Sequence, residues 1–227
     1  MDIEEIEKRY KKLISYLDIV EDEDYRKLLK FFFVDDEDFI YKFKTQHAGA
    51  RTHHSYVGGL LEHTLGVMQI CDFIWHQYSI IDRDLLITTA ALHDIGKVEE
   101  ISLGVEKEYT DEGQLIGHII IGYEMVCKKI NMMKNFSVRR KNEIRHCILA
   151  HHGQHIYGSP QEPALIEALI LSLADLLDAK VSLMSEVLKN DSEDELWLGY
   201  NEFFGRNISK TSTYRMNKNE ERDIRTV

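Results

Sequence analysis

Apolar residues recur at helical spacing along most of the chain. One face of residues 3–17 carries Ile3, Ile6, Tyr10, Leu13, Ile14 and Leu17, the pattern of an amphipathic helix. The two prolines, Pro160 and Pro163, lie close together, so long stretches contain no helix breaker. The pattern predicts an all-α fold with helices over residues 3–17, 25–33, 36–44, 56–79, 83–94, 113–133, 138–152 and 163–189.

Local signals mark some of the helix boundaries. Asp111 with Gln114 resembles a capping box that opens the helix over 113–133. Gly96 and Gly153 stand where helices are expected to end. Residues 98–110 are predicted to form a short hairpin or an irregular loop, and the chain from Gly205 onward is polar.

Seven residues that can bind metals project from the apolar stripes of five predicted helices. They are His63, His93, Asp94, His118, His151, His152 and Asp175. A single histidine on an apolar face is usually a core residue with one hydrogen bond. Burying an unpaired carboxylate costs several kcal/mol or more, and a buried imidazole also needs a partner. The five histidines and two aspartates are therefore expected to lie together in one site. A divalent metal is the natural counter-ion, since neutral imidazole and carboxylate are common ligands.

The cysteines limit the kind of metal site. Cys71, Cys127 and Cys147 form no CxxC pair and each lies among apolar residues, so buried thiols are expected instead of zinc ligands or disulfides. The site should therefore use nitrogen and oxygen ligands, which suits manganese, iron, zinc, cobalt or nickel. Magnesium fits less well with so many imidazoles.

The order His63…His93-Asp94…Asp175 resembles the H…HD…D signature of the HD-domain metal-dependent phosphohydrolases. The flanking segments HHSYVGGLLEHTLGV, ALHDIGKV, YTDEGQLIGHIIIG, ILAHHG and ADLLDAKV are most similar to the HD domain of YhaM-like 3′-to-5′ exoribonucleases. The resemblance implies an HD-domain helical bundle with its metal site between helices. It also suggests an N-terminal helical extension over 1–45, a phosphohydrolase domain over 46–190 and a polar C-terminal extension over 191–227. The N-terminal OB-fold usual in that family is not expected, because residues 1–45 have a helical pattern and are too few for a five-stranded barrel.

The same resemblance implies roles for the individual residues. His63, His93, Asp94 and Asp175 would hold one divalent ion, and Asp94 would bridge to a second held by His118 and His151, with His152 as a further candidate ligand. Manganese is favoured. A hydroxide bridging the two metals would attack phosphorus. Asp94 and Lys97 are the expected catalytic residues: Lys97, in HDIGK, is placed to contact a phosphate oxygen, although a lysine at a helix end can also simply complement the helix dipole. Arg51 and Lys180 are weaker candidates of the same kind.

Charge bears on the choice of substrate. The chain has 227 residues and a net charge of −11, which disfavours coating of duplex DNA. Residues 128–145, however, hold seven bases and one acid. This basic stretch is a candidate binding surface for phosphates.

Three functions follow from these observations. The leading one is hydrolysis of phosphodiester bonds in single-stranded RNA or short oligonucleotides. The first alternative keeps the site but takes a nucleotide or a cyclic dinucleotide, and the second is a non-catalytic binding or regulatory module. The sequence contains no apolar run long enough to span a membrane, and a cytoplasmic location is expected. Phe31, Phe32 and Phe33 should pack in the core, or else form a contact within a homo-oligomer.

Overall fold

Helices dominate the structure, a computed structural model that describes residues 1–49, 56–103, 108–189 and 196–211. The predicted all-α fold class is confirmed. The helices are α1 (Ile3–Asp18), α2 (Glu23–Phe33), α3 (Glu37–Thr45), α4 (Gly59–Trp75), α5 (Arg83–Leu92), α6 (Lys97–Glu100), α7 (Asp111–Leu115), α8 (His118–Asn131), α9 (Val138–Ala150) and α10 (Ile166–Lys189). None of the described helices combines the length and apolar character needed to span a bilayer.

The chain divides into two compact units, Met1–Lys180 and Val181–Val227. In the first unit, α4 and α5 form the centre of the core. Every residue from Leu85 to Leu92 is buried, and α4 buries residues on most of its surface, which is typical of a helix surrounded by others. α1 and α3 pack against α4, α2 and α9 pack against α5, and α8 packs against α9.

The first three helices complete this core. Aspartate side chains cap their N-termini: Asp2 accepts a hydrogen bond from the Glu5 N–H, and Asp36 accepts one from the Phe39 N–H. Phe32 and Phe33 are each only 1% exposed, and Phe31 packs against the core from a partly buried position. The expected core packing of these aromatic residues is therefore observed.

Three helices end earlier than predicted: the one predicted over 56–79 ends at Trp75, and the ends of the other two matter for the candidate site. The helix predicted over 83–94 ends at Leu92, so His93 and Asp94 lie in the turn that follows α5. The helix predicted over 138–152 ends at Ala150, so His151 and His152 also follow their helix. At Gly153 the backbone has φ +79°, the left-handed conformation that glycine adopts at helix ends.

The single helix predicted over 113–133 is wrong. Gly117 has φ +77°, and this left-handed backbone separates α7 from α8. The predicted capping box is also wrong, because the N-cap of α7 is Thr110, whose hydroxyl accepts a hydrogen bond from the Gly113 N–H. The break makes His118 the first residue of α8.

Strand structure is confined to short segments in the described residues. Within 98–110, an isolated antiparallel bridge joins Ile101 to Tyr109, and residues 104–107 lie outside the described residues. In the second unit, β1 (Trp197–Asn201) pairs antiparallel with β2 (Arg206–Ser209). The sequence pattern did not predict this hairpin.

Candidate metal centre

The structure brings the seven predicted residues together from five separate segments. His63 lies within α4 and Asp175 within α10, whereas the other five occupy helix ends. His93 and Asp94 follow α5, His118 opens α8, and His151 and His152 follow α9.

Asp94 lies at the middle of the group and is almost fully buried. Its Oδ2 atom is 3.4 Å from the Nε2 atoms of both His63 and His93. Its Oδ1 atom is 3.4 Å from His118 Nε2 and 3.6 Å from His151 Nε2. The two carboxylate oxygens thus face two different sets of imidazoles.

These sets correspond to two clusters with the spacing of metal ligands. His63, His93 and Asp175 form one, and His118, His151 and His152 form the other; within each, the ligand atoms lie within 4.8 Å of one another. His63 Nε2 and Asp175 Oδ1 are 3.1 Å apart. With Asp94 between them, each cluster offers nitrogen and oxygen atoms of the type that first-row divalent ions prefer.

Every one of the five histidines has its Nδ1 atom beside a hydrogen-bond acceptor. The pairs are His63 with Asp178 Oδ2 at 2.7 Å, His93 with the Ala90 carbonyl at 2.8 Å, His118 with Glu100 Oε1 at 3.0 Å, His151 with the Ile148 carbonyl at 2.6 Å and His152 with the Tyr157 carbonyl at 3.1 Å. A carbonyl oxygen can only accept, so the Nδ1 facing it carries the proton. In a neutral ring, Nε2 then keeps its lone pair for a metal.

Three buried atoms in the middle of the site make no hydrogen bond within the part of the chain that the structure describes. They are Asp94 Oδ1, His118 Nε2 and His151 Nε2. Leaving polar atoms buried without partners is costly. A cation bound between them would satisfy all three, so the residues present fit a divalent ion.

The electrostatics follow from burying charges at short distances. Burial lowers the pKa of His63, but the carboxylates of Asp175, Asp178 and Asp94 outweigh it and raise that pKa well above its ordinary value. Burial alone would raise the pKa of Asp94, yet Lys97 and the histidines hold it well below its usual range. Burial would likewise raise the pKa of Asp175, but the histidines hold it below its ordinary value. Asp94 and Asp175 are therefore ionised, as metal ligands must be.

Lys97 lies beside the centre and not at the surface. It opens α6, is 8% exposed, and its Nζ atom is 2.6 Å from Asp94 Oδ2. Burial lowers the pKa of Lys97, but Asp94 raises it above its ordinary value, so the ammonium is charged. Of the weaker candidates, Lys180 is exposed on α10, and Arg51 lies outside the described residues.

Two carboxylates that the sequence did not identify as site residues contact histidines of the site. Glu100 accepts hydrogen bonds from both the backbone N–H and the Nδ1 of His118, and Asp178 contacts His63. Asp178 stands one turn after Asp175, a spacing that could have revealed it. Glu100 has no such signal, because only the tertiary fold brings it to His118.

Glycines allow these supports to approach closely. A Cβ added to Gly66 would lie 2.3 Å from Asp178 Oδ1, and one added to Gly113 would lie 2.2 Å from the Glu100 carbonyl oxygen. Neither separation is compatible with non-bonded contact. Both positions therefore favour glycine because larger residues would displace a carboxylate-bearing segment.

Most of the basic stretch 128–145 lies on turns of α8 and α9 away from the ends that carry His118 and His151. His118 opens α8 and His151 follows α9, whereas most of this stretch lies toward the opposite ends of the two helices. Several of its bases are paired with acids: Lys129 with Asp36 at 2.9 Å, and Arg140 with Asp22 at 2.6 Å. That this stretch flanks the cleft stays a prediction, since Arg145, in the middle of α9, contacts the Tyr123 hydroxyl of α8.

A comparison with protein families identifies the fold. A model described as "HD domain" matches residues 60–180, a range that holds all seven residues. The chain belongs to the HD domain family. This confirms the resemblance seen in the sequence, and the His93-Asp94 pair at the middle of the centre supplies the two letters of the family name.

Curated relatives of this HD domain protein come from several bacteria. The chain is 38% identical over 148 residues to the "3'-5' exoribonuclease YhaM" of Listeria welshimeri and to that of Bacillus velezensis, which is 65% of the chain and 47% of each relative. The protein of that name in Bacillus licheniformis is 38% identical over 142 residues. The chain spans about half the length of the curated relatives it matches. No solved structure was found to match it.

Proposed function

We propose that this HD domain is a metal-dependent phosphohydrolase that cleaves phosphodiester bonds in single-stranded RNA or short oligonucleotides. One observation carries the proposal: four histidines anchored through Nδ1, His63, His93, His118 and His151, direct their Nε2 atoms toward the two oxygens of one buried aspartate. The name shared by the relatives supports the class of substrate.

In this proposal His63, His93 and Asp175 would hold one divalent ion, and His118, His151 and His152 would hold a second. Asp94, whose carboxylate faces both clusters, would be a ligand to both ions. Ions bound there would supply positive charge to the phosphate oxygens and lower the pKa of a water molecule toward about 7. Manganese is the metal we propose; the mixture of imidazole and carboxylate ligands without thiolate also suits iron, zinc, cobalt or nickel.

The protein's own side chains would orient the imidazole ligands and neutralise negative charge on the phosphate. The Nδ1 acceptors hold each imidazole in one tautomer and one direction. Lys97, charged and close to Asp94 Oδ2, is placed to contact a phosphate oxygen next to the metal ligands. We propose it as a catalytic residue for that reason; its contribution would be to stabilise negative charge on the phosphate.

A smaller substrate is the second candidate, and one observation favours it. A polynucleotide track beside the centre would need bases there, but most bases of 128–145 lie on turns of α8 and α9 away from the centre, and several are paired with acids. A mononucleotide or a cyclic dinucleotide would not need such a track. Cleavage of a nucleotide in preference to RNA would decide for this candidate.

The first test is metal content with and without Asp94. The purified protein should bind about two divalent ions per chain, measured by elemental analysis after dialysis against manganese. Asp94→Asn removes the bridge and should lose both ions. An Asp94→Asn protein that kept both ions and full activity would refute the bridging role.

The second test is a panel of substrates. With manganese, the protein should hydrolyse a simple aryl phosphodiester and shorten 5′-labelled single-stranded RNA from its 3′ end. Cyclic dinucleotides and mononucleotides are assayed alongside. A metal-loaded protein that cleaves none of these would be a non-catalytic module, and the proposed function would be wrong.

A further inference from the structure

Four large, mainly apolar side chains lie exposed close to two histidines of the candidate centre. They are Leu115, Ile116, Ile156 and Tyr157, which are 82%, 49%, 82% and 61% exposed. The first two lie at the end of α7, just before His118, and the other two follow His152 in a short 3₁₀ turn. The ring centroids of His118 and His152 are 5.2 Å apart, so both pairs flank the same part of the centre. We call these four residues the apolar rim.

The centre opens to solvent on this same side. Of its five histidines, His63, His93 and His151 are fully buried, whereas His118 and His152 are partly exposed. A substrate that approaches the imidazoles from solvent therefore meets the exposed pair first. The apolar rim is joined to that pair along the chain, so it lies where such a substrate enters.

The second half of the rim belongs to a loop that hydrogen bonds hold in place. The Tyr157 carbonyl oxygen is 3.1 Å from His152 Nδ1, which ties the loop to a candidate metal ligand. His155 Nδ1 is 2.9 Å from the Ser159 carbonyl oxygen, and the Ser159 hydroxyl is 3.1 Å from the carbonyl oxygen of Leu149 in α9. The loop thus presents its exposed side chains on a backbone that is fixed against the end of α9.

The segments that carry the rim have no lysine or arginine with which to bind a further phosphate. Residues 111–117 and 153–160 contain neither residue type, and Asp111 and Glu112 add negative charge to the first segment. A second phosphate group beside the rim would therefore meet carboxylates without a compensating ammonium or guanidinium group. A flat, uncharged nucleobase would instead gain from contact with apolar and aromatic side chains.

The part of a substrate that can reach the rim is the nucleoside next to the reacting phosphate. In a nucleotide, a single ribose separates the base from its own phosphate. The Tyr157 carbonyl touches the imidazole of His152, a candidate ligand of the second ion. A phosphate held at that ion would consequently place its own nucleoside, and not a distant one, beside the loop.

From these observations we propose that the apolar rim binds the nucleobase of the nucleotide whose phosphate is cleaved, with Tyr157 as the stacking side chain. The inference rests on the proposed function, because it completes the substrate site of the same centre. It applies to RNA and to a mononucleotide alike, since each supplies one base next to the reacting phosphate. Stacking of this kind discriminates little among the bases, because every base has a π-face.

The binding test compares two ligands that differ in the base. Adenosine 5′-monophosphate and ribose 5-phosphate are titrated by calorimetry into the manganese-loaded full chain. The adenosine compound should bind at least about tenfold more tightly, which is the scale of one base–aromatic stack. Tyr157→Ala should remove most of this difference, and Tyr157→Phe should keep it. Both variants retain the backbone carbonyl that supports His152. Equal affinity of the unchanged protein for the two ligands would overturn the proposal.

Tyr78→Ala is the matched control. Tyr78 is 59% exposed, close to the value for Tyr157, and it precedes α5 at the end of that helix away from His93. Its replacement should leave the affinity for both ligands unchanged. Equal losses from Tyr78→Ala and Tyr157→Ala would contradict a base-binding role for the rim. A Tyr157→Ala protein with a changed oligomeric state and an unchanged affinity for adenosine 5′-monophosphate would identify a subunit contact instead, and would also overturn the proposal.

Cleavage separates failure of this inference from failure of the proposed function. Methyl p-nitrophenyl phosphate has no base, whereas adenosine 5′-p-nitrophenyl phosphate has the same leaving group and carries one. Tyr157→Ala should lower kcat/KM about tenfold for the adenosine ester and leave the methyl ester nearly unchanged. Hydrolysis of neither ester, with adenosine 5′-monophosphate still bound more tightly than ribose 5-phosphate, would refute the proposed function and support the rim. Hydrolysis of both esters with no effect of Tyr157→Ala on either would refute the rim alone.

Discussion

The histidines of the candidate centre use their two ring nitrogens for different purposes. Nδ1 is spent on a carboxylate or a backbone carbonyl of the protein, and Nε2 is left facing the middle of the site. An imidazole held in this way loses little freedom when it binds a metal, so its partner influences affinity without touching the ion. Glu100 constrains its histidine most strongly, because its carboxylate accepts hydrogen bonds from both the backbone N–H and the Nδ1 of His118.

Glu100→Gln should therefore weaken metal binding at the cluster of His118, His151 and His152. Removing the charge lowers the basicity of His118 and loosens its orientation, and the loss expected for such supporting groups is about 10- to 100-fold in affinity. Titration calorimetry with manganese measures it. Glu99→Gln is the control, since Glu99 is exposed and pairs with Lys42. Equal effects of the two changes would contradict a positioning role for Glu100.

The three cysteines differ in their expected reactivity. Cys71 and Cys147 are fully buried, whereas Cys127 is partly exposed. Burial raises the pKa of Cys147 to about 12, so almost no thiolate is present at pH 8. One thiol per chain should react quickly with a disulfide reagent in the native state, and three should react in denaturant. Cys127→Ser should abolish the fast phase; its survival would show that a buried thiol is reached.

At the scale of single residues, sequence reasoning could predict the ligand candidates but not all of their partners. The seven residues stand out because each interrupts an apolar stripe and because together they follow the HD signature. In the sequence, Glu100 does not differ from any other acid near a helix end. Its role depends on the tertiary fold, which places the start of α8 against its carboxylate. Contacts of that kind depend on tertiary structure, and helical periodicity cannot reveal them.

Helix ends, not helix faces, position most of the centre. Five of the seven residues occupy the first position of a helix or the turn after one. Periodicity predicted these helices well but extended them through their functional ends, because the apolar pattern continues into the buried turn. The break at Gly117 and the register shift of the hairpin between Trp197 and Tyr200, at Gly199, both involve glycines with positive φ, which hydrophobic spacing does not report. That is why one helix was predicted instead of two and the hairpin was missed.

The contact between α6 and α8 depends on Gly96. A Cβ added there would lie 2.0 Å from the His118 carbonyl oxygen and 2.6 Å from the Gly122 nitrogen. Because both neighbours are backbone atoms, Gly96→Ala should push the start of α8 away. The free energy of unfolding should fall by about 1–3 kcal/mol or more. Gly122→Ala, whose Cβ would meet the Gly96 nitrogen at 3.1 Å, should be milder. Thermal unfolding compares them, and the reverse order would contradict this account.

On the scale of the whole molecule, the centre joins segments that are distant in sequence. The two clusters and Asp94 draw on residues from His63 in α4 to Asp175 in α10. Without an ion, the carboxylates of Asp94 and Asp175 share this site with buried imidazole nitrogens that have no hydrogen-bond partner among the described residues. An ion that binds all these segments at once can do so only in the folded state, so binding and stability are coupled.

Manganese should therefore raise the melting temperature of the protein. At a free concentration about 100 times its Kd, an ion that binds only the folded state adds about 2.7 kcal/mol. For a chain of this size that corresponds to a shift of about 5–10 °C. Differential scanning fluorimetry measures the shift after treatment with EDTA and again after manganese is restored, with sodium chloride at equal ionic strength as the control. Asp94→Asn keeps the size of the side chain but removes the charge shared by the two clusters, so its shift should be much smaller. An equal shift in Asp94→Asn would place the stabilising ion elsewhere on this acidic protein, and the centre would then not be what couples metal to folding.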